Sequence, residues 1–184
     1  MFKVNKIDEI LEITPMILED NRGYFLKSYE KDIFCEYGIK EQISETFESL
    51  STKGVLRGLH FQSKNPQIKM VRVITGEILD VIVDIRKSST NFKKYYKFNI
   101  SSLNKKIVVV PRGFAHGFLV LSDIALVSYS CIGKYLKEYD SGIIYNDKNI
   151  NINWSFNLVD KIIISDKDKR LLSLEELDKR GILL

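Results

Sequence analysis

The sequence predicts an all-β fold, a barrel or sandwich with short peripheral helices, on three observations. Short β-branched and aromatic runs recur through the middle of the chain, each closed by Gly, Asn, Ser or Pro. Apolar residues at helical spacing are scarce by comparison. The run Leu79-Asp80-Val81-Ile82-Val83-Asp84-Ile85 is apolar on both faces, which suits the middle of two packed sheets and does not suit a one-sided sheet.

Taken in order, residues 10 to 18 read as a strand interrupted by Pro15. Glu19 to Gly23 form a turn, and Tyr24 to Tyr29 a second strand. Ile33, Phe34 and Tyr37 recur at helical spacing within 30–37, and Gly38 supplies a helix stop. Strands are then expected over 43–49, 54–62, 68–75, 78–86, 95–100, 106–111, 116–121, 124–132 and 142–145. Thr75-Gly76-Glu77 and Ser122-Asp123 read as hairpin turns, and Pro111-Arg112-Gly113 as a hairpin-like turn returning into the strand that His116 opens. Near the end, Ser173-Leu174-Glu175-Glu176 is a capping box, and a short helix over about 173–181 follows from it.

The 184 residues suit a single domain over 1–184, with no repeat and no linker rich in Gly, Ser or Pro. Twenty-eight basic against 24 acidic residues leave a net charge of +4, spread along the chain. That dispersal tolerates an anionic small molecule and gives no footprint for nucleic acid. Cys35 and Cys131 have neither metal spacing nor a close redox partner, so two free thiols in a reducing compartment are expected. No stretch approaches the roughly 18 uncharged residues of a membrane span, and the N-terminus has no apolar segment behind its charges, so a cytoplasmic protein is expected.

Polar groups inside apolar strands mark the chemistry. His60 stands in Arg57-Gly58-Leu59-His60-Phe61-Gln62, and His116, the second of two histidines, in Pro111-Arg112-Gly113-Phe114-Ala115-His116-Gly117-Phe118. Imidazole titrates nearest neutrality, which suits it to moving protons, although a lone strand histidine is often a core group bonded to a carbonyl. Lys69 shares its strand face with Val71 and Val73, so its ammonium must either snorkel out or be paired, and Asp84 in the next strand is a reasonable partner. Tyr129 reads either as a core aromatic or as a proton donor. Two histidines without a His-x-His pair argue against a metal, and no phosphate loop, dinucleotide fingerprint or nucleophile elbow occurs. What remains is a non-metal set of His, Lys, Tyr and Asp, suited to proton transfer beside a carbonyl.

These motifs, with Lys69-x-Val71-Arg72-Val73-x-x-Gly76-Glu77-x-x-Asp80-Val81-x-Val83-Asp84-x-Arg86-x-Ser88-Ser89, resemble the dTDP-4-dehydrorhamnose 3,5-epimerase family. The similarity runs from Asp20-x-Arg22-Gly23-x-Phe25 to Ser165-x-Lys167-Asp168, nearly the whole chain. The resemblance implies a cupin-type jelly roll, a homodimer exchanging N-terminal strands over about 1–30, and a metal-free, cofactor-free epimerase. Its substrate would be a nucleotide-linked 4-keto-6-deoxyhexose used in cell-surface polysaccharide synthesis. In that frame His60 is the base, Asp168 its dyad partner, Lys69 the cation at the enolate oxygen and Tyr129 the acid on the opposite face. Arg57, Gln62, Asp84, His116, Tyr135 and Lys167 would bind substrate, and Arg22 with Phe25 would reach the partner subunit's nucleotide site.

Three departures bear on the substrate. The family commonly has Gln-x-Asn-x-Ser where this chain reads Glu45-Thr46-Phe47-Glu48-Ser49; Lys27 stands where a glutamate is usual, and Asp140 where many relatives have Glu. An epimerase of another nucleotide-linked 4-keto sugar, one acting at a single carbon, and a sugar-nucleotide-binding cupin without turnover are the alternative readings.

Overall fold

The computed structural model describes residues 2–184. Two sheets face each other as a jelly roll. The first has the order β1 (Lys3–Ile7), β2 (Ile10–Thr14), β10 (Ile107–Val110), β7 (Ile68–Thr75), β12 (Ile124–Ile132) and β5 (Ile43–Thr52). The second has β13 (Asp140–Gly142), β6 (Val55–Gln62), β11 (Phe114–Val120), β8 (Glu77–Asp84) and β9 (Tyr95–Ser101), with β14 (Ile163–Ile164) parallel to β6. A separate hairpin, β3 (Met16–Asp20) with β4 (Gly23–Lys27), pairs with neither.

Period-two alternation gives both sheets an inner apolar face, and these faces meet in one core. Val71, Val73, Val127 and Tyr129 come from the first sheet, and Ile78, Ile82, Phe114 and Phe118 from the second. The opposite face of β8, with Leu79, Val81 and Val83, and Ile85 just after it are covered by Ile150, Trp154, Leu174 and Leu177 of the C-terminal segment. Its second apolar face is therefore explained by a layer of tail and not by another sheet. On the far side, Phe34 of α1 (Lys31–Glu36) and Phe2 cover Leu11, Ile13, Met70 and Val109. Gly38 follows α1 with φ +90°, as a helix stop requires. Ser173 and Glu176 form the capping box of α3 (Leu174–Lys179).

The turns differ from expectation. Thr75-Gly76-Glu77 joins β7 to β8, Ser122-Asp123 joins β11 to β12, and Pro111-Arg112-Gly113 joins β10 to β11, and each passes from one sheet to the other. All three are therefore corners of the jelly roll and not hairpin turns. β7 pairs instead with β10 and β12, whose hydrogen bonds leave it no edge for β8. His116 is the third residue of β11, and the strand expected over 142–145 lies at Asp140–Gly142.

Candidate active site

The site begins with a break in alternation on β6. Leu56, Leu59 and Phe61 pack outward, whereas Arg57 and His60, three residues apart, both line the interior. In register His60 faces His116 and Arg57 faces Phe118, so three steps on β6 oppose two on β11. The extra residue is a β-bulge, which re-aims a side chain in this way. Gly58 has φ +111°, and a Cβ on it would lie 2.6 Å from the Gly117 Cα. A Cβ on Gly117 would in turn lie 2.6 Å from the Arg57 carbonyl oxygen. Only two facing glycines allow the backbones to close around the bulge.

Behind the bulge stands Asp168, 4% exposed, on the short helix α2 (Asp166–Lys169). Ile163 and Ile164 pair with Val55 and Leu56, which brings the C-terminal segment alongside β6. The Ser165 hydroxyl then caps α2 by accepting from the Asp168 amide. One Asp168 oxygen lies 2.8 Å from His60 Nε2, and the other accepts the Gly58 N–H at 3.1 Å. Burial alone would raise the Asp168 pKa, but the His60 hydrogen bond and charge and the Gly58 amide outweigh it and hold the carboxyl below its ordinary value. An ionised Asp168 accepts Nε2–H and leaves the His60 Nδ1 lone pair free.

A second dyad lies nearby. His116 Nε2 is 2.6 Å from an Asp80 oxygen, with both side chains buried. The other Asp80 oxygen is buried without a partner. Sequence reasoning missed Asp80, although its parity with Asp84 on β8 was a usable signal.

The first sheet supplies the opposite wall. Tyr129 on β12 is 6% exposed; it stacks on Phe47 of β5 and meets His116 edge-on. Burial, with the negative charge of Asp80, pushes the Tyr129 phenol above its ordinary value. Lys69, on β7 opposite Cys131, has no salt-bridge partner among the described residues, and burial pushes its amine below the ordinary lysine range. The Cys131 thiol is pushed up to about 11 by burial. Phe47, Ser49, Lys69 and Tyr129 face Arg57, His60, His116 and Gly117 across one cavity of about 190 Å³. Arg57 is held at its place by Ser51, whose hydroxyl accepts from Nε at 3.0 Å.

The remaining expected residues lie elsewhere. Asp84 does not pair with Lys69: Arg86 and Ser89 donate to its buried carboxylate, and it lies outside the cavity lining. Four residues beyond Asp80 on β8, it is about 13 Å further along the strand. The Gln62 amide donates to the Asn65 and Lys134 carbonyls and accepts from the Leu136 N–H, which fixes loops and leaves it outside the lining as well. Lys167 bonds Asp140 at 2.7 Å, next to Tyr135, a half-exposed ring. Arg22 folds back on Asp20 in the β3–β4 hairpin, where Phe25 is 58% exposed.

The chain matches the family model for dTDP-4-dehydrorhamnose 3,5-epimerase over residues 4–176. It is 45% identical to the enzyme of that name from Methanothermobacter thermautotrophicus, over 95% of each chain. Against the Escherichia coli K12 enzyme it is 41% identical, over 94% of this chain and 93% of the relative. The crystal structure of dTDP-6-deoxy-D-glucose-3,5-epimerase from Legionella pneumophila, in complex with dTDP-4-keto-L-rhamnose, superposes with a TM-score of 0.94 at 38% identity, covering 100% of this chain and 97% of that one. Fold, two-walled cavity and near-complete coverage agree, and the chain belongs to the dTDP-4-dehydrorhamnose 3,5-epimerase family.

Proposed function

We propose that the protein inverts carbons 3 and 5 of dTDP-4-dehydro-6-deoxyglucose, giving dTDP-4-dehydrorhamnose, by removing and returning the protons beside the 4-keto group. The observation that carries this reading is one cavity with a carboxylate-backed imidazole on one sheet and a phenol on the other. Its volume of about 190 Å³ equals about six waters, the scale of one sugar ring. Inversion needs a base and an acid on opposite faces, because a single base returns the proton to the face it left.

His60 takes the proton on Nδ1, and Asp168 steadies the imidazolium that results. Lys69, desolvated and without a salt bridge among the described residues, supplies positive charge for the enolate oxygen. Tyr129 keeps its proton at neutral pH because of burial and Asp80, and gives it up only to the carbanionic face of the enolate. Arg57 and His116 hold the sugar, and Lys167 with Tyr135 meets the nucleotide end. Asp84 and Gln62 serve the scaffold.

The working form is a homodimer in the cytoplasm. No helix among the described residues is long and apolar enough to cross a membrane, and Cys35 and Cys131 are free thiols. Within the N-terminal segment of about 1–30, the β3–β4 hairpin joins neither sheet whereas β1 and β2 pair within one, which supports the hairpin as the part exchanged. That hairpin presents Leu18, Tyr24 and Phe25 to solvent, and in the dimer Arg22 and Phe25 would reach a second copy's cavity. Incubation with dTDP-4-dehydro-6-deoxyglucose in deuterated water tests the reading: an epimer with deuterium at carbons 3 and 5 is expected. Label at one carbon would restrict the reaction to that carbon, and no label would overturn it.

A further inference from the structure

Phe47 and Tyr129 are directly opposite each other on β5 and β12. Their rings stack with centroids 4.7 Å apart and planes 15° apart. From the facing sheet His116 meets Tyr129 in a T-shaped contact, with centroids 6.2 Å apart and planes at 75°. The phenol ring is thus held by a stacked and a T-shaped contact, while its other cross-strand neighbour, Val71, offers only aliphatic contact. Phe47 is 46% exposed against 6% for Tyr129, so the Phe47 ring takes the solvent contact that the phenol would otherwise have. A large apolar ring half in water on an edge strand gains little for the fold, and its sheltered side is the one laid on Tyr129.

Proton delivery to a ring carbon tolerates little misplacement, and a tyrosine ring free to swing on its first two torsions loses that geometry. We infer that Phe47 is a positioning residue for the proton-donating step: stacked on Tyr129, it fixes the plane in which the hydroxyl is presented and screens it from water. The inference rests on the reading of Tyr129 as donor given above. Phe47 has no part in removing the proton, because His60 and Asp168 belong to the other wall.

The experiment compares wild type with Phe47→Tyr, Phe47→Leu and Phe47→Asn on dTDP-4-dehydro-6-deoxyglucose in deuterated water. It reads deuterium in recovered substrate separately from epimer formed. Phe47→Tyr keeps the stacked ring and is expected to keep the wild-type ratio. Phe47→Leu, apolar without a ring face, and Phe47→Asn are expected to exchange substrate protons within twofold of wild type while epimer formation falls roughly three- to tenfold. Equal loss of exchange and inversion, or an unchanged ratio in the Leu and Asn variants, would overturn the assignment. Wild-type protein that introduces no label would overturn the epimerase reading itself, and this inference with it.

Discussion

Replacing Asp168 by asparagine keeps the side-chain shape and removes one charge, and the surrounding bonds show why that is costly. The two carboxylate oxygens accept from different partners, His60 Nε2 at 2.8 Å and the Gly58 N–H at 3.1 Å. An amide has one acceptor oxygen. If that oxygen faces Gly58, the NH₂ faces His60 and forces the tautomer with its proton on Nδ1, which cannot act as base. If it faces His60, the NH₂ opposes the Gly58 N–H and the bulge loses its anchor. Either way the imidazolium loses a charge-assisted bond worth about 1.5–3 kcal/mol. With the tautomer penalty, kcat should fall between about 10²- and 10⁴-fold. KM should change little, because Asp168 does not line the cavity. The assay is the initial rate of deuterium entry into substrate, with thermal melting to confirm folding. A rate within threefold of wild type in a folded variant would refute the dyad.

Lys69→Met removes a desolvated ammonium that has no salt bridge among the described residues, so it should raise stability by about 1 kcal/mol while lowering turnover at least about 100-fold, read by denaturant midpoint and epimer yield. Since the folded pKa of Lys69 is lowered, wild-type stability should also rise with pH between that value and the ordinary lysine value of about 10.4, and the variant should lack this rise. Gly58→Ala puts a Cβ 2.6 Å from the Gly117 Cα at φ +111° and should cost more than about 2 kcal/mol in urea unfolding; an unchanged midpoint would refute the tight bulge. Asp84→Asn breaks a buried pair with Arg86 and should cost about 3 kcal/mol at pH 7. The folded pKa of Asp84 is depressed, so its contribution is complete above the ordinary value of about 3.9 and is lost as pH falls through the lower folded value. The gap between wild type and variant should therefore close in acid.

The strands were legible because period-two alternation is local, and so were His60, Lys69 and Tyr129, polar groups on otherwise apolar inner faces. The corners were not. A Gly turn such as Thr75-Gly76-Glu77 looks the same whether the next strand pairs back or crosses to the facing sheet, and β10 and β12, far along the chain, decide which. Asp84 and Lys69 belong to distant levels of the barrel, while Asp80, two alternation periods nearer the cavity and in reach of His116, carries the same local pattern as Asp84. Asp168 stood out only through family resemblance, because its place beside His60 depends on β14 joining β6 across more than 100 residues. Nor does alternation foretell a bulge that turns two residues three apart to the same side.

Two-sided proton transfer is tested most directly by comparing His60→Asn with Tyr129→Phe on dTDP-4-dehydro-6-deoxyglucose in deuterated water. Tyr129→Phe should still place deuterium in recovered substrate while forming little epimer, and His60→Asn should do neither. Exchange that survives without the imidazole, or that vanishes in step with inversion when the phenol loses its hydroxyl, would contradict the assignment of the two walls.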